Sequence, residues 1–182
     1  MRAVFIDLQG TLGGDPLGHV GDFQFYPFAI DAIKLLNENN ILAIVLTNQS
    51  RIAKGDLTLD EYNQKIMNIR EELNKQGAYL DEIYCCPHSR DDKCECKKPL
   101  IGMAKEAESE FNIDLEKSYV IGDMGMSDML LASAIDAKGI LVLTGVGQGS
   151  LNEFRNTWKD AEPAYVADNV LEAVKWIIED IK

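Results

Sequence analysis

Val4-Phe5-Ile6-Asp7-Leu8-Gln9-Gly10-Thr11 is the stretch from which this chain is read. Val4, Phe5 and Ile6 form an apolar run of strand character, and the run ends in a carboxylate, Asp7. Open α/β sheets gather their ligands at the carboxyl ends of their strands, so a carboxylate delivered there reads as a nucleophile or a metal ligand. The rest of the chain supplies further polar groups in order: Thr47-Asn48 after a second apolar run, then Lys98, then Gly122-Asp123 with Asp128 beyond it.

Working outward, short apolar runs alternate with segments of helical periodicity, the pattern of an α/β fold built from right-handed crossovers. Strands are expected near 3–7, 41–47, 82–85, 118–122 and 139–143, and helices near 28–39, 59–76, 100–111, 127–136 and 169–181. Ile41 to Leu46 is apolar throughout, as a strand covered on both faces should be. Thr58 with Glu61 three residues on is a capping-box pattern opening the second helix. Ala29, Ile30, Ile33, Leu35 and Leu36 make the apolar face of the first. Gly13–Tyr26 and Cys86–Pro99, rich in glycine, proline and charge, read as loops leaving strand ends, and Gly145, Gly147 and Gly149 read as a plain turn after the last strand.

The 182 residues, 46% of them hydrophobic, fit one domain spanning 1–182 with a core on both faces of a sheet. With 18 basic against 30 acidic residues, the formal charge of −12 disfavours nucleic acid and anionic membrane surfaces as partners. A phosphorylated substrate must therefore be captured by local positive charge. No apolar stretch is long enough to span a bilayer, and Met1 runs directly into the first strand without a signal pattern, so the cytoplasm is the expected location. The oligomeric expectation is a monomer or a weak homo-oligomer.

Asp7, Thr47, Lys98, Asp123 and Asp128 each follow an expected strand or its adjoining loop, so distant segments can meet in one cleft. Such a set suits phosphoryl transfer: a carboxylate attacks phosphorus, other carboxylates hold a divalent cation, and a hydroxyl and a lysine complete the cradle. Hard oxygen ligands favour Mg²⁺. Taken singly, each residue is as well explained as an ordinary strand-end or surface residue; the ordered set is not.

On these residues the chain resembles the haloacid dehalogenase-like hydrolases. The four motifs of that family match Asp7-Leu8-Gln9-Gly10-Thr11, Leu46-Thr47-Asn48-Gln49-Ser50, Lys98-Pro99 and Gly122-Asp123-Met124-Gly125-Met126-Ser127-Asp128. Tyr26-Pro27, Ile52-Ala53-Lys54-Gly55, Cys86-Pro87-His88 and Cys94-Glu95-Cys96-Lys97-Lys98-Pro99 resemble its small, capless histidinol-phosphatase and D,D-heptose bisphosphate phosphatase branch. The resemblance implies a three-layer, Rossmann-like parallel sheet with helices on both faces and a zinc-binding loop. It also implies a phosphatase acting on a small phosphorylated metabolite of sugar phosphate type, through an aspartyl phosphate on Asp7. Thr47 and Lys98 would hold the transferring phosphoryl group. Asp7, Asp123 and the main-chain carbonyl of Gln9 would bind Mg²⁺, and Asp128 would orient the metal shell or its water. The family spacing between the two late acids is often one residue shorter than from Asp123 to Asp128.

Gln9 departs from the family, which usually has there a second aspartate that protonates the leaving oxygen and later deprotonates the attacking water. Glutamine has no titratable proton but still hydrogen-bonds. Loss of such a group removes roughly 10² to 10⁴ in rate, about 3 to 5 kcal/mol, most for poor leaving groups. Two alternatives therefore stand beside a slowed phosphatase: a phosphotransferase or hydrolase of activated phosphates, and a non-catalytic sugar-phosphate-binding sensor.

Cys86, His88, Cys94 and Cys96 place three thiols and an imidazole within eleven residues. This is the ligand set of a closed tetrahedral Zn²⁺ site. A redox pair, Cys94–Cys96 or Cys85–Cys86, and cysteines that are merely buried both leave His88 unexplained. Zinc here would fix the loop that presents Lys97 and Lys98. Asn48, Lys97, Lys54 and Arg51 adjoin matched motifs and are candidate substrate-binding residues; Lys97 stands where relatives tend to have arginine, and Arg51 where glycine is common. His19 reads as a loop residue.

Overall fold

The computed structural model describes residues 1–182 and contains six strands: β1 (Ala3–Ile6), β2 (Leu42–Asn48), β3 (Glu82–Cys86), β4 (Tyr119–Gly122), β5 (Lys138–Val142) and β6 (Tyr165–Ala167). All pair in parallel, in the order β3-β2-β1-β4-β5-β6. The helices are α1 (Ala29–Glu38), α2 (Leu59–Lys75), α3 (Gly102–Phe111), α4 (Leu130–Ala134), α5 (Gly147–Leu151) and α6 (Val170–Asp180). Each of the five expected strands and five expected helices has its counterpart. β6 and α5 were not foreseen, being three and five residues long, too short to carry a readable period.

Alternation along the strands divides the core. Val4 and Ile6 of β1, with Ala43 and Val45 of β2, pack under α1, α2 and α6; Ala3 and Phe5, with Leu42, Ile44 and Leu46, pack under α3 and α4. Each large side chain so buried contributes about 1.5–3 kcal/mol relative to exposure. In α1 the buried stripe is Ala29, Ile30, Ala32, Ile33 and Leu36, while Leu35 lies at its edge and is only partly covered. Thr58 and Glu61 close the capping box: Thr58 Oγ1 accepts from Glu61 N at 3.1 Å and Glu61 Oε2 accepts from Thr58 N at 2.8 Å.

The chain winds from β1 toward β2 on one side and later from β4 toward β5 on the other, so strand order reverses between β1 and β4. That reversal opens a crevice at the carboxyl ends of the two strands. Asp7 follows β1 and Asp123 follows β4. No helix is long and apolar enough to cross a membrane.

Candidate active site

Oxygens of Asp7, Asp123 and Asp128 lie within 4.8 Å of one another at this crevice. Lys98 Nζ donates to Asp7 Oδ1 and to Asp128 Oδ1, each at 2.7 Å, and its side chain is only 3% exposed. Three carboxylates facing one ammonium leave excess negative charge in a poorly solvated place. Burial, opposed by Lys98 and aided by Asp128, pushes Asp7 up to about 6. Burial, with the charges of Asp7 and Asp128, pushes Asp123 up to about 8. Burial alone would lower Lys98, but its pairs with Asp128 and Asp7 outweigh that and hold it above the ordinary lysine value. A dense set of hard oxygen donors with uncompensated charge fits a divalent cation such as Mg²⁺.

Asp123 is fixed from two sides. Its Oδ2 accepts from Val146 N at 2.8 Å. Gly10 and Gly145 have φ of +91° and +56°, and a Cβ on either would strike the same carboxylate. Thr144 Oγ1 donates to Gly10 O at 2.6 Å, tying the loop after β5 to the loop after β1. The glycines after β5 are thus not a plain turn: Gly145 lets the backbone approach Asp123, and Gly147 opens α5.

The long spacing from Asp123 to Asp128 is absorbed by a π-helical turn over Gly125–Met129, where Leu130 N donates to Gly125 O five residues back. Such a turn takes one residue more than an α-helical turn, and π-turns recur at functional sites. Asp128 is consequently aimed at Lys98, and its Oδ2 accepts from Met124 N at 3.1 Å.

Thr47 is buried, and its Oγ1 accepts from Gln49 Nε2 at 2.9 Å. Asn48 uses its amide on the backbone of Lys98, accepting from its N–H at 3.0 Å and donating to its carbonyl at 3.2 Å. The Lys98-Pro99 peptide is cis. Gln9 Nε2 donates to Asp15 O at 3.0 Å and Gly18 O at 3.2 Å, and its Oε1 accepts from Gln49 Nε2 at 2.9 Å. Arg51 donates to Gly18 O and Leu17 O at 3.3 and 3.1 Å. Lys97 Nζ donates to His88 O at 3.3 Å, and Lys54 is exposed. His19 accepts from Gly21 N at 3.0 Å and caps a short 3₁₀ turn.

A small hollow of about 80 Å³ is lined by Asp7, Gln9, Thr47, Lys98, Asp123 and Asp128. Beside it, sharing Asn48, Lys98, Met124 and Ser127, lies a cleft of about 970 Å³. Lys54, Arg90, Lys93 and Lys97 contribute to its lining against a single acidic residue, Asp91. This is the local positive charge that a chain of charge −12 needs to admit an anion.

Cys86, His88, Cys94 and Cys96 converge where β3 meets the following loop. The separations are 3.6 Å for Cys86 Sγ to His88 Nδ1, 3.7 Å for Cys86 to Cys94, 3.2 Å for His88 to Cys96 and 3.0 Å for Cys96 to Cys86. Zinc–sulfur bonds near 2.3 Å imply tetrahedral edges of about 3.8 Å, so the set fits zinc with a slight expansion. Burial raises the Cys86 and Cys96 thiols, whereas in Cys94 backbone N–H groups of Lys97 and Cys96 outweigh burial and bring the thiol to about 7, so without a metal only Cys94 is close to its thiolate form.

Several contributors are not evident from sequence. Gln49 follows the Thr47-Asn48 motif, and strand alternation places it on Thr47's side, a usable signal. Thr144 and Val146 carry no signal, since one acts through a main-chain N–H. Arg90 and Lys93 are visible as charges, but only the fold puts them on the cleft.

An open parallel sheet with an acidic cluster and a buried lysine at its switch point defines an α/β protein of phosphoryl-transfer type. The chain belongs to the haloacid dehalogenase-like hydrolases, among their phosphatases. The HAD-hydrolase-like sequence profile matches residues 95–173. The chain is 38% identical over 154 residues to the D-glycero-β-D-manno-heptose-1,7-bisphosphate 7-phosphatase of Yersinia pestis, covering 79% of this chain and 81% of that one. It is 32% identical over 180 residues to the enzyme of the same name from Helicobacter pylori, covering 97% of each. The crystal structure of D,D-heptose 1,7-bisphosphate phosphatase from B. bronchiseptica, complexed with magnesium and phosphate, superposes with a TM-score of 0.86 at 26% identity over 99% of both chains.

Proposed function

We propose that this chain is a phosphatase of bisphosphorylated sugars of the heptose 1,7-bisphosphate type, working through an aspartyl phosphate on Asp7. The observation that carries this reading is the convergence of Asp7, Thr47, Lys98, Asp123 and Asp128 on one small hollow beside a basic cleft. The phosphoryl group to be removed would occupy the hollow, and the second phosphate would lie among Lys54, Arg90, Lys93 and Lys97. Asp7, Asp123, Asp128 and the main-chain carbonyl of Gln9 are the proposed holders of Mg²⁺, which when bound neutralises charge on the phosphoryl oxygens.

The chain's own groups divide the remaining work. A carboxylate oxygen of Asp7 forms a bond to phosphorus as the bond to the sugar oxygen breaks. Thr47 and Lys98 orient the transferring group, and Asn48 holds the Lys98 backbone in register. Gln9 supplies no proton to the departing oxygen, so that step relies on solvent, and hydrolysis of the aspartyl phosphate lacks a positioned base. Cys86, His88, Cys94 and Cys96 would hold Zn²⁺ in a closed set, stiffening the loop that carries Arg90, Lys93, Lys97 and Lys98.

A second reading, hydrolysis or transfer of activated phosphates, is favoured by one observation: both Gln9 amide hydrogens are already committed to backbone carbonyls. Turnover of a panel with Mg²⁺ tests both readings. The panel comprises heptose 1,7-bisphosphate, the two monophosphates, an acyl phosphate and an aryl phosphate. Preference for the bisphosphate supports the first reading; exclusive turnover of the acyl or aryl compound supports the second. No turnover of any compound would overturn both.

A further inference from the structure

Two of the departures from the family pattern near the cleft, Gln9 and Arg51, meet on one loop. Gln9 Nε2 takes the carbonyls of Asp15 and Gly18, while Arg51 Nε and Nη2 take those of Gly18 and Leu17. Gly18 O is shared between them. The loop is itself turned tightly, with Leu17 N donating to Asp15 Oδ1 at 2.9 Å and Gly18 N to Asp15 O at 3.0 Å. Leu17 projects from it, 71% exposed, at the edge of the large cleft.

We propose that Gln9 and Arg51 form a clamp that fixes Asp15–Gly18 as the rim of the cleft, so that both are positioning residues that set which leaving groups fit. The consequence for substrates rests on the phosphatase reading above; the clamp itself does not.

The donor count supports this assignment. Three backbone carbonyls point at positions 9 and 51; Asp15 O also takes Gly18 N, so the side-chain donors orient the loop rather than rescue unmet acceptors. Glutamine provides two N–H groups and arginine five. An ionised carboxylate at position 9 provides none, and aspartate is also one methylene shorter, so the usual family residue would leave Asp15 O and Gly18 O facing a charge of the wrong sign. Gln9 is further braced by Gln49, which also holds Thr47, linking the rim to the phosphoryl hollow through side-chain amides. Arg51 is committed as well: beyond its two carbonyls, its Nη1 lies 4.0 Å from Asp56 Oδ2, which offsets its charge. A guanidinium so engaged is a poor free ligand for a substrate anion, and a lysine in its place would keep the charge but lose the fork.

Amide hydrogen exchange on the full-length protein, followed on peptides covering residues 14–18, tests the clamp with Gln9→Met, Arg51→Met and Arg51→Lys. Loss of about one hydrogen bond's worth of restraint should speed exchange there by roughly five- to tenfold in each variant, with the β1 and β2 peptides unchanged. Arg51→Lys should behave like Arg51→Met, in exchange and in a raised KM for a bisphosphorylated sugar. If Arg51→Lys instead matches wild type in both while Arg51→Met raises KM alone, Arg51 binds substrate by its charge and the clamp is overturned. Unchanged exchange in all three variants also overturns it. Should wild type turn over no phosphorylated compound, the phosphatase reading fails, and the exchange result still decides the clamp.

Discussion

Lys98 Nζ sits 2.7 Å from Asp7 Oδ1 and 2.7 Å from Asp128 Oδ1, bridging the first and last acids of the site across 91 and 30 residues of chain. Removing one partner of a buried ion pair leaves uncompensated charge and costs about 3–5 kcal/mol. Lys98→Met is therefore expected to lower stability by about that amount in chemical denaturation. Adding Asp128→Asn in the same background should recover part of the loss, because it removes one of the repelling charges. Equal stability of wild type and Lys98→Met would show that the pair is not formed in solution.

The carboxylates make a pH prediction. In the metal-free protein Asp123 is pushed up to about 8 and Asp7 to about 6, both from 3.8, with burial the main cause. Between those values the folded state binds more protons than the unfolded chain, so stability falls as pH rises from about 4 toward 8. A divalent cation competes with these protons. Mg²⁺ should therefore raise Tm more at pH 8 than at pH 6, measured by thermal scans with and without the ion; a larger increment at pH 6 would contradict the assignment.

Gly145 is constrained by neighbours and by its backbone, whereas Gly77, at φ +75°, has nothing within 4 Å of a built Cβ. Gly77→Ala should carry only the backbone cost of about 1 kcal/mol, and Gly145→Ala about 1–3 kcal/mol more, with weakened Mg²⁺ binding as Asp123 is displaced. Denaturant titration and calorimetric Mg²⁺ binding, run on both variants, check the contrast.

For the thiol cluster, elemental analysis of protein purified without chelator should find one zinc per chain. Cys96→Ser or chelation should loosen residues 86–99, seen as faster proteolysis there, and raise the KM for a bisphosphate more than for a monophosphate. An absence of zinc from protein whose four ligands are reduced and intact would remove this part of the account.

How far the sequence could be read depends on the kind of interaction. Strands such as Ile41 to Leu46, buried on both faces, announce themselves by composition, and the Thr58–Glu61 cap by spacing. β6 lies at the sheet edge with only three residues, so neither signal develops. In the site, Asp7 and Asp123 were legible as strand-end residues and Lys98 as a loop residue in motif order. What was not legible depends on backbone geometry: the N–H of Val146 on Asp123, the π-turn that redirects Asp128, and the three carbonyls held by Gln9 and Arg51. From sequence Gln9 reads as a missing acid; the structure gives its amide a different task.

Trapping the phosphorylated protein addresses the chemistry most directly. A side chain at position 9 that neither gives nor takes a proton should slow hydrolysis of the aspartyl phosphate, so the intermediate should accumulate. Rapid quenching during turnover of an acyl or bisphosphorylated substrate with Mg²⁺, followed by peptide mass spectrometry, should find one phosphoryl group on the peptide carrying Asp7, and none in Asp7→Asn. Sustained phosphate release by Asp7→Asn, with no phosphoryl group on that peptide in wild type, would contradict the account.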